Sequence, residues 1–256
     1  MGDDMTIPTP VKRAIAAVKS EGIAVTLATG RAFGIASGYA RELEIDVPLI
    51  CFQGGLIQPV DGGRPLYRAT MERECVRDVL RSPAAQGTEV AVFAGGRVFL
   101  SRHRQSREFY RRFLGSRLRW VDDLGDVVDR YATMKVILFV EPERAEETMR
   151  ELRQGVSDEI AIVRSHEILV ECHPRGVSKG DALRRLAEHL DVPRANVMAI
   201  GDQANDASMV AWAGIGVAMG NAVPETKAVA DWIAPPLEED GVVRAIDRFV
   251  LERELE

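Results

Sequence analysis

The chain has 256 residues, 46% of them hydrophobic and 28% charged, a composition typical of a globular protein and unlike that of a disordered, collagenous or disulfide-scaffolded chain. Its net charge of -6 argues against a nucleic-acid partner, and no apolar run reaches the ~20 residues that cross a membrane. The three cysteines are far apart and follow no metal-binding spacing, which favours a reducing, cytoplasmic location.

The first sixty residues alternate between helical and strand-like segments. Residues 9–21, with Thr9 as N-cap, and residues 32–43 predict two helices. Apolar runs at 23–28 and 47–52 predict strands that are covered on both faces.

The middle of the chain has a different pattern. The predicted elements are strand pairs at 88–93 with 97–101 and at 159–164 with 167–172, a strand at 133–140, and helices near 71–81, 104–114 and 143–153. Turn-rich segments at 58–65 and 173–176 bound this region. We therefore predict an α+β domain at 58–173, inserted into a domain formed by residues 1–57 and 174–256.

The alternation returns in the last third of the chain. The predicted elements are a helix at 179–190, a strand at 196–200, a short helix at 206–213, a strand at 215–219, and helices at 224–230 and 239–250. Strands that alternate with helices indicate the α/β class, with a doubly wound parallel sheet.

Polar residues follow the predicted strands, where an open α/β sheet binds its ligands. Thr29 ends the strand at 23–28, and Gly30 leaves backbone amides free for an anion. An ordinary strand-to-helix turn would look the same. Residues 220–222, after the strand at 215–219, are also polar and indicate only a turn.

Lysine is scarce, since only five of the 33 basic residues are lysines. Ser178 and Asp181 resemble a capping box, which places Lys179 at the first helical position. A cation there opposes the helix dipole by roughly 0.3–1 kcal/mol, so the position suggests an anion in front of it. The alternative is a solvated surface lysine.

Two carboxylates crowd the loop after the strand at 196–200. Asp202 and Asp206, at ~5 Å, would repel by about 3 kcal/mol at an effective dielectric near 20. Mg²⁺ would remove that penalty, because it favours carboxylate oxygens together with substrate phosphate. Plain helix caps are the alternative, and Asp206 could instead orient Lys179 or the loop.

Together these stretches resemble the haloacid dehalogenase superfamily, in particular the Cof-like phosphatases with a large inserted cap. The matching stretches are Ala28-Thr29-Gly30-Arg31, residues 176–183, residues 201–209, residues 217–222 and Asp240-Gly241-Val242. The resemblance spans nearly the whole chain. It implies Mg²⁺-dependent hydrolysis of a phosphate monoester through an aspartyl-phosphate, with the cap selecting the substrate.

The resemblance also implies roles for individual residues. Thr29 and Gly30 would hold phosphoryl oxygens, and Lys179 would offset the charge of the nucleophile and the phosphate. Asp202 would ligate Mg²⁺, with Asp206 as a second candidate ligand, and Asn205 would contact phosphate. Lys179 and Thr29 are thus the predicted catalytic residues.

The chain departs from the family in two places. The family opens with an apolar strand ending in Asp-x-Asp-Gly-Thr, whose first Asp is the nucleophile; here Asp3 and Asp4 follow no strand, and we interpret them as loop acids. Because losing a central strand would leave backbone groups unpaired, we expect a true start roughly ten residues upstream. Without the nucleophile the chain should lack turnover. The second departure is Gln53-Gly54-Gly55, where the family usually has Asn-Gly-Ala.

Two functions fit these observations. The first is a phosphatase acting on a small phosphorylated metabolite such as a sugar phosphate, with a nucleophile outside this chain. The second is a catalytically inactive protein that binds phosphate or a phosphosugar. A nucleotide-binding oxidoreductase built on Gly30–Gly34 is weaker, because the three-glycine spacing is missing. The sequence leaves the substrate and the oligomeric state open.

Overall fold

The computed structural model describes residues 6–102, 104–115 and 117–251, apart from the side chain of Arg112. Two compact units are present: the first unit joins the residues up to Tyr67 with those from Ser178 onward, and the second unit runs from Arg68 to Val177. The first junction, at 67/68, lies after the predicted 57/58, because residues 56–58 and Tyr67 belong to a sheet of the first unit. The second, at 177/178, lies four residues after the predicted 173/174.

The helices and strands have the following bounds. The helices are α1 (Thr9–Ser20), α2 (Phe33–Glu42), α3 (Arg73–Arg81), α4 (Arg107–Leu114), α5 (Leu124–Arg130), α6 (Ala145–Gly155), α7 (Lys179–His189), α8 (Ala207–Trp212), α9 (Pro224–Lys227) and α10 (Gly241–Phe249). The strands are β1 (Leu49–Cys51), β2 (Leu56–Gln58), β3 (Tyr67–Arg68), β4 (Glu89–Ala94), β5 (Arg97–Leu100), β6 (Leu118–Trp120), β7 (Thr133–Phe139), β8 (Ile160–His166), β9 (Leu169–Pro174), β10 (Met198–Gly201), β11 (Ile215–Ala218) and β12 (Trp232–Ile233).

The predicted helices are all present, with shifted ends. At α1 the predicted N-cap is wrong: Pro8 is the N-cap and Thr9 is already helical, because the carbonyl of Pro8 accepts the first helical hydrogen bond, from Lys12. The elements missed by the sequence analysis, α5 and strands β2, β3, β6 and β12, have seven residues or fewer. Such short segments give little periodicity to detect.

The first unit contains two separate sheets. Strands β10, β11 and β12 form a parallel sheet, in which Gly201 lies opposite Ala218. Strands β1, β2 and β3 form the other, and β1 pairs antiparallel with β2. The alternation of parallel strands with helices α7 to α10 confirms the α/β class.

The segment 23–28 differs from its prediction. Only Ala28 forms a bridge, parallel to Ile50 of β1, and Ile23 is 42% exposed. Residue 24 is also exposed, and residues 25–28 are only half-buried. On the edge away from β1, none of the described strands pairs with this segment. Burial on both faces was therefore a wrong prediction, and the sheet of the first unit is divided at this point.

A shared core positions the loops of the first unit. The buried cluster contains residues of both sheets together with α7 and α8: Ile50, Ile57, Ala182, Leu183, Leu186, Ala199, Met209, Val210 and Ala213. Helix α7 lies so close to α8 that a Cβ at Gly180 would overlap the carbonyl of Ser208. The start of α7 is thereby fixed beside the loop that follows β10.

The second unit has the predicted α+β character. Its six-stranded sheet has the order β6-β5-β4-β7-β9-β8, and the predicted pairs β4–β5 and β8–β9 are antiparallel hairpins. Buried side chains of α3, α5 and α6 pack with one face of this sheet.

Among the described helices, none combines the length and the apolar character needed to span a bilayer.

Candidate functional site

The turn at Thr29 lies beside the end of β1, at the edge of the sheet formed by β1, β2 and β3. The amide of Thr29 donates to the carbonyl of Ile50 at 2.9 Å, which fixes the backbone. The Thr29 hydroxyl oxygen accepts from the amide of Arg31 at 3.1 Å. Because that oxygen serves as the acceptor, the hydroxyl hydrogen can still be donated to a bound anion. Thr29 and Gly30 are both half-buried.

Lys179 begins α7 and is buried, with 6% of its surface exposed. Ser178 is the N-cap, and its hydroxyl accepts from the amide of Asp181 at 3.1 Å. The ammonium of Lys179 donates to the carboxylate of Asp206, and it lies 3.4 Å from Oδ1 of Asn205. Lys179 is therefore not a solvated surface lysine, because its charge is held by the loop that follows β10.

Only half of the predicted capping box forms. The carboxylate of Asp181 accepts hydrogen bonds from Arg184 at 2.7 Å and from Arg185 at 2.7 Å. These bonds lower the pKa of Asp181, and the bond from Arg185 has the larger effect. Asp181 thus belongs to an ion-pair group along α7.

Asp206 braces this loop. It is 4% exposed, and its Oδ2 accepts from the backbone amides of Asp202 at 2.9 Å and Gln203 at 3.0 Å. Its Oδ1 accepts from Lys179. Both oxygens of Asp206 thus accept hydrogen bonds, from the lysine and from the loop backbone, and these contacts favour the orienting role, one of the two roles that the sequence left open.

Asp202 is the more available carboxylate. It is half-buried, and its Oδ2 accepts from the side-chain amide of Gln203 at 3.1 Å. A carboxylate has about four lone-pair positions, so acceptor capacity is left for a cation.

The donor set of this loop suits Mg²⁺. Within the described ranges, no group of three or more His, Cys, Asp or Glu side chains could hold a metal ion. Mg²⁺ needs fewer protein ligands than that, because it is usually bound by one or two carboxylates together with substrate phosphate and water. Asp202, with Asn205 close by, fits this requirement.

Within residues 220–222, the carbonyl of Gly220 accepts from Lys227 at 2.6 Å. The residues that follow contact the loop that carries Asp202: the amide of Val223 donates to the carbonyl of Asp202 at 2.9 Å. The buried hydroxyl of Thr226 donates to the carbonyl of Gln203 at 2.7 Å. These contacts fix the backbone of the loop that carries Asp202.

A further loop, residues 52–54 after β1, belongs to the site and was missed by the sequence analysis. Oε1 of Gln53 accepts from Nδ2 of Asn205 at 2.8 Å. Gly54 has φ +101°, and a Cβ there would overlap the carbonyl of Ser178. The available signal was Gln53-Gly54-Gly55, which the sequence analysis noted only as a departure from the family.

Cys51 lies next to this loop and is not a candidate nucleophile. It is fully buried, and burial raises the pKa of its thiol to about 12. A thiol with that pKa is protonated at neutral pH and therefore unreactive. Asp3 and Asp4, interpreted above as loop acids, lie outside the described residues.

The predicted site residues are thus brought together in the first unit. They lie on two loops and at the start of α7, which are joined through Gln53 and Asp206: Thr29 and Gly30 on the first loop, Asp202 and Asn205 on the second, and Lys179 in α7. A hydroxyl, an ammonium and a carboxamide can donate hydrogen bonds to an anion, while a neighbouring carboxylate can bind a cation. This arrangement can hold a phosphoryl group together with a divalent ion.

Comparison with known proteins gives a consistent result. The model of the haloacid dehalogenase-like hydrolase family matches residues 1–246. The chain is 30% identical over 206 residues to HMP-PP phosphatase of Yersinia pseudotuberculosis, which covers 80% of this chain and 74% of that protein. It is 27% identical over 256 residues to 5-amino-6-(5-phospho-D-ribitylamino)uracil phosphatase YitU of Bacillus subtilis, covering 96% of this chain and 92% of the relative.

A solved structure shares the fold. The crystal structure of a haloacid dehalogenase-like hydrolase from Bacteroides thetaiotaomicron superimposes with a TM-score of 0.87 at 26% identity, covering 97% of this chain and 94% of that one.

Proposed function

Since the chain belongs to the haloacid dehalogenase-like hydrolases, in their Cof-like branch, and is a phosphatase by that membership, we propose that it hydrolyses a small phosphorylated metabolite with the help of Mg²⁺. The observation that carries this proposal is that the buried Lys179 is hydrogen-bonded to the loop that follows β10, and that Gln53 joins this loop to the turn at Thr29. A buried ammonium beside a half-buried carboxylate matches the charges of a phosphate and a divalent cation.

Each residue of the site has one role in the proposed reaction. The hydroxyl of Thr29 and the backbone at Gly30 hold phosphoryl oxygens, and Asn205 donates to another. Lys179 offsets the negative charge that accumulates around phosphorus in the transition state. Asp202 would hold Mg²⁺, which supplies electrostatic stabilisation of the phosphoryl oxygens when bound. Asp206 keeps Lys179 in place.

The proposed chemistry is covalent. A carboxylate forms a bond to phosphorus while the bond from phosphorus to the ester oxygen breaks. The leaving oxygen takes a proton from the second Asp of the family's Asp-x-Asp-Gly-Thr motif, which regains a proton from the attacking water in the next step. Water then cleaves the aspartyl-phosphate, so the sum is ester plus water giving alcohol plus phosphate. The family resemblance assigns the nucleophile to an opening strand that is not in this sequence, and neither Asp3 nor Asp4 is given the role.

Relatives suggest the size of the substrate. The two named phosphatases act on HMP-PP and on a phosphorylated ribitylaminouracil, as their names state. From these relatives we infer that the substrate of this chain is also a small phosphorylated metabolite, and a sugar phosphate is the first example to test. We further propose that residues 58–173 act as the substrate-selecting cap and that the protein works in the cytoplasm, which its three free cysteines support.

The second candidate is a phosphate or phosphosugar binder without turnover. It is favoured by one observation, namely that the groups that could bind an anion are held in place by contacts among the described residues themselves. Lys179, Thr29 and Asn205 would bind such a ligand without a chemical step.

A direct assay separates the two candidates. Release of p-nitrophenol from p-nitrophenyl phosphate is measured with and without Mg²⁺, for the chain as given and for a form extended by an apolar strand ending in Asp-x-Asp-Gly-Thr. We expect turnover only in the extended form with Mg²⁺, and at least 100-fold less in its Asp202→Asn variant. Phosphate binding without turnover in a folded extended form would favour the binder. No turnover and no phosphate binding by either form would overturn both.

A further inference from the structure

We infer that Gln53 is a positioning residue of the phosphoryl site, and that its side-chain amide sets the orientation of Asn205 relative to Lys179. The inference deepens the proposed function and rests on it only in taking the ligand to be a phosphoryl anion.

The backbone of this loop is held in a costly conformation. Phe52 and Gln53 have φ of 51° and 61°, and Gly54 has φ of 101°. Side chains other than glycine rarely adopt the left-handed region, and two such residues in succession are rarer still. Conformations of this kind persist where the surroundings impose them, and they cluster at functional sites.

Three contacts impose this conformation. The amide of Phe52 donates to the carbonyl of Arg31 at 3.2 Å, and that of Gln53 to the carbonyl of Thr29 at 3.2 Å. On the other side, Gly54 lies directly against the carbonyl of Ser178, where a Cβ would overlap. The loop is thus fixed to the turn at Thr29 and to the start of α7, and the Gln53 side chain is aimed accordingly.

The side chain of Gln53 connects the backbone of Gly30 with the side chain of Asn205. A Cβ at Gly30 would overlap its amide, so the amide lies against the backbone of Gly30. At the same time Oε1 accepts from Nδ2 of Asn205 at 2.8 Å across 152 residues of sequence. Gln53 therefore connects the Gly30 turn with the loop that follows β10.

The orientation of Asn205 follows from this bond. A carboxamide has one accepting end and one donating end. With Nδ2 turned to Gln53, Oδ1 faces the Lys179 ammonium at 3.4 Å. The opposite orientation would place Oδ1 against Oε1 of Gln53, two acceptors, and Nδ2 against the ammonium of Lys179, two donors. An acceptor at residue 53 therefore favours the arrangement in which Asn205 helps to hold the lysine.

Isosteric replacements of Gln53 test the inference. The affinity for inorganic phosphate in the presence of Mg²⁺ is measured by calorimetry, the unfolding midpoint by circular dichroism, and the side-chain amide resonances of Asn205 by NMR. The variants are Gln53→Met, which removes both polar ends, Gln53→Glu, which keeps the acceptor, and Gln53→Gly, which removes the side chain and relieves the left-handed backbone. Gln86→Met, at an exposed glutamine of the second unit, is the matched control.

The inference predicts a specific pattern. Gln53→Met and Gln53→Gly weaken phosphate binding by about tenfold, the size of one lost hydrogen bond, and both shift the Asn205 resonances. Gln53→Gly does so without lowering the unfolding midpoint. Gln53→Glu keeps the Asn205 resonances close to their original positions, and Gln86→Met changes none of the three measurements.

Other outcomes overturn one proposal or the other. Unchanged affinity and unchanged Asn205 resonances in Gln53→Met would overturn the positioning role, as would weakened binding that only follows a lowered unfolding midpoint in both Gln53→Met and Gln53→Gly. If neither the chain as given nor its extended form binds phosphate or shows turnover, the proposed function fails, and the Asn205 resonances alone still decide the role of Gln53.

Discussion

Each unit of this protein contains a buried lysine paired with a buried carboxylate. In the first unit, the side chains of Lys179 and Asp206 are 7% and 6% exposed. In the second unit, those of Lys135 and Glu171 are 5% and 6% exposed, and their atoms lie 3.0 Å apart. Burying such a pair carries a desolvation cost that the attraction between the charges need not exceed. Burial alone therefore does not distinguish a functional pair from a structural one.

The surroundings of the two pairs differ. Lys135 and Glu171 lie within strands β7 and β9, and Glu171 also accepts from Ser165 at 2.7 Å. The Lys135 ammonium lies 5.3 Å from the ring centre of Phe93. That pair is enclosed by the sheet of the second unit.

Lys179 and Asp206 instead lie at a helix start and in a loop, next to the half-buried Asp202 and the exposed Asn205. A buried charge therefore indicates a site when the groups around it are still available to a ligand.

The largest expected effect separates the two lysines. Lys179→Met should weaken phosphate binding in the presence of Mg²⁺ by at least about 100-fold, because a charge-assisted hydrogen bond and the local positive charge are both lost. Lys135→Met should leave that affinity within about twofold, although each variant leaves a carboxylate buried without its partner and should lower the free energy of unfolding by roughly 3–5 kcal/mol.

Calorimetry and urea unfolding measure the two quantities on the same samples. The interpretation of the pairs is wrong if Lys135→Met abolishes phosphate binding in a folded protein, or if Lys179→Met binds phosphate like the original chain.

Part of the difference between the two buried lysines could be predicted from the sequence, and part could not. Lys179 and Asp202 could be found because a lysine at a helix start and an acid at a strand end are local patterns. Lys135 gave no such signal, since its partner Glu171 is 36 residues away. Gln53 was missed for the same reason: its hydrogen bond to Asn205 depends on tertiary structure that no local pattern encodes.

The fold shows the same division. Helices with several turns were predicted from apolar periodicity. The burial of 23–28 depends on what lies beside the segment, which its own apolar residues do not specify, and there the prediction was wrong.

A smaller effect is expected when both members of a pair become apolar. Replacing Lys135 and Glu171 by Met and Leu should change the free energy of unfolding little or raise it by about 1–4 kcal/mol, as such replacements often do. Ser165 loses its acceptor but is exposed and can bind water.

Replacing Lys179 and Asp206 in the same way should destabilise the protein by roughly 2–6 kcal/mol. The amides of Asp202 and Gln203 lose their acceptor, at about 1–3 kcal/mol each. Equal stability of the two double variants, measured by urea unfolding, would remove the distinction between the pairs.

The smallest effect concerns Asp181, which is two residues from Lys179 but belongs to neither buried pair. Arg185 and Arg184 hold the pKa of its carboxyl below the usual value. A lowered pKa in the folded state means that the ion pairs add stability above the unfolded-state pKa of about 4, and that this stability is lost as pH falls through the folded-state pKa. The side chain is 34% exposed, so solvent screening keeps the contribution under about 1 kcal/mol.

Asp181→Asn should therefore lower the free energy of unfolding slightly at pH 7, and urea unfolding should show the difference shrinking towards pH 3. Its phosphate affinity should equal that of the original chain, because the carboxylate binds the two arginines and not the residues of the site. A loss of affinity approaching that of Lys179→Met would instead extend the phosphoryl site along the exposed side of α7.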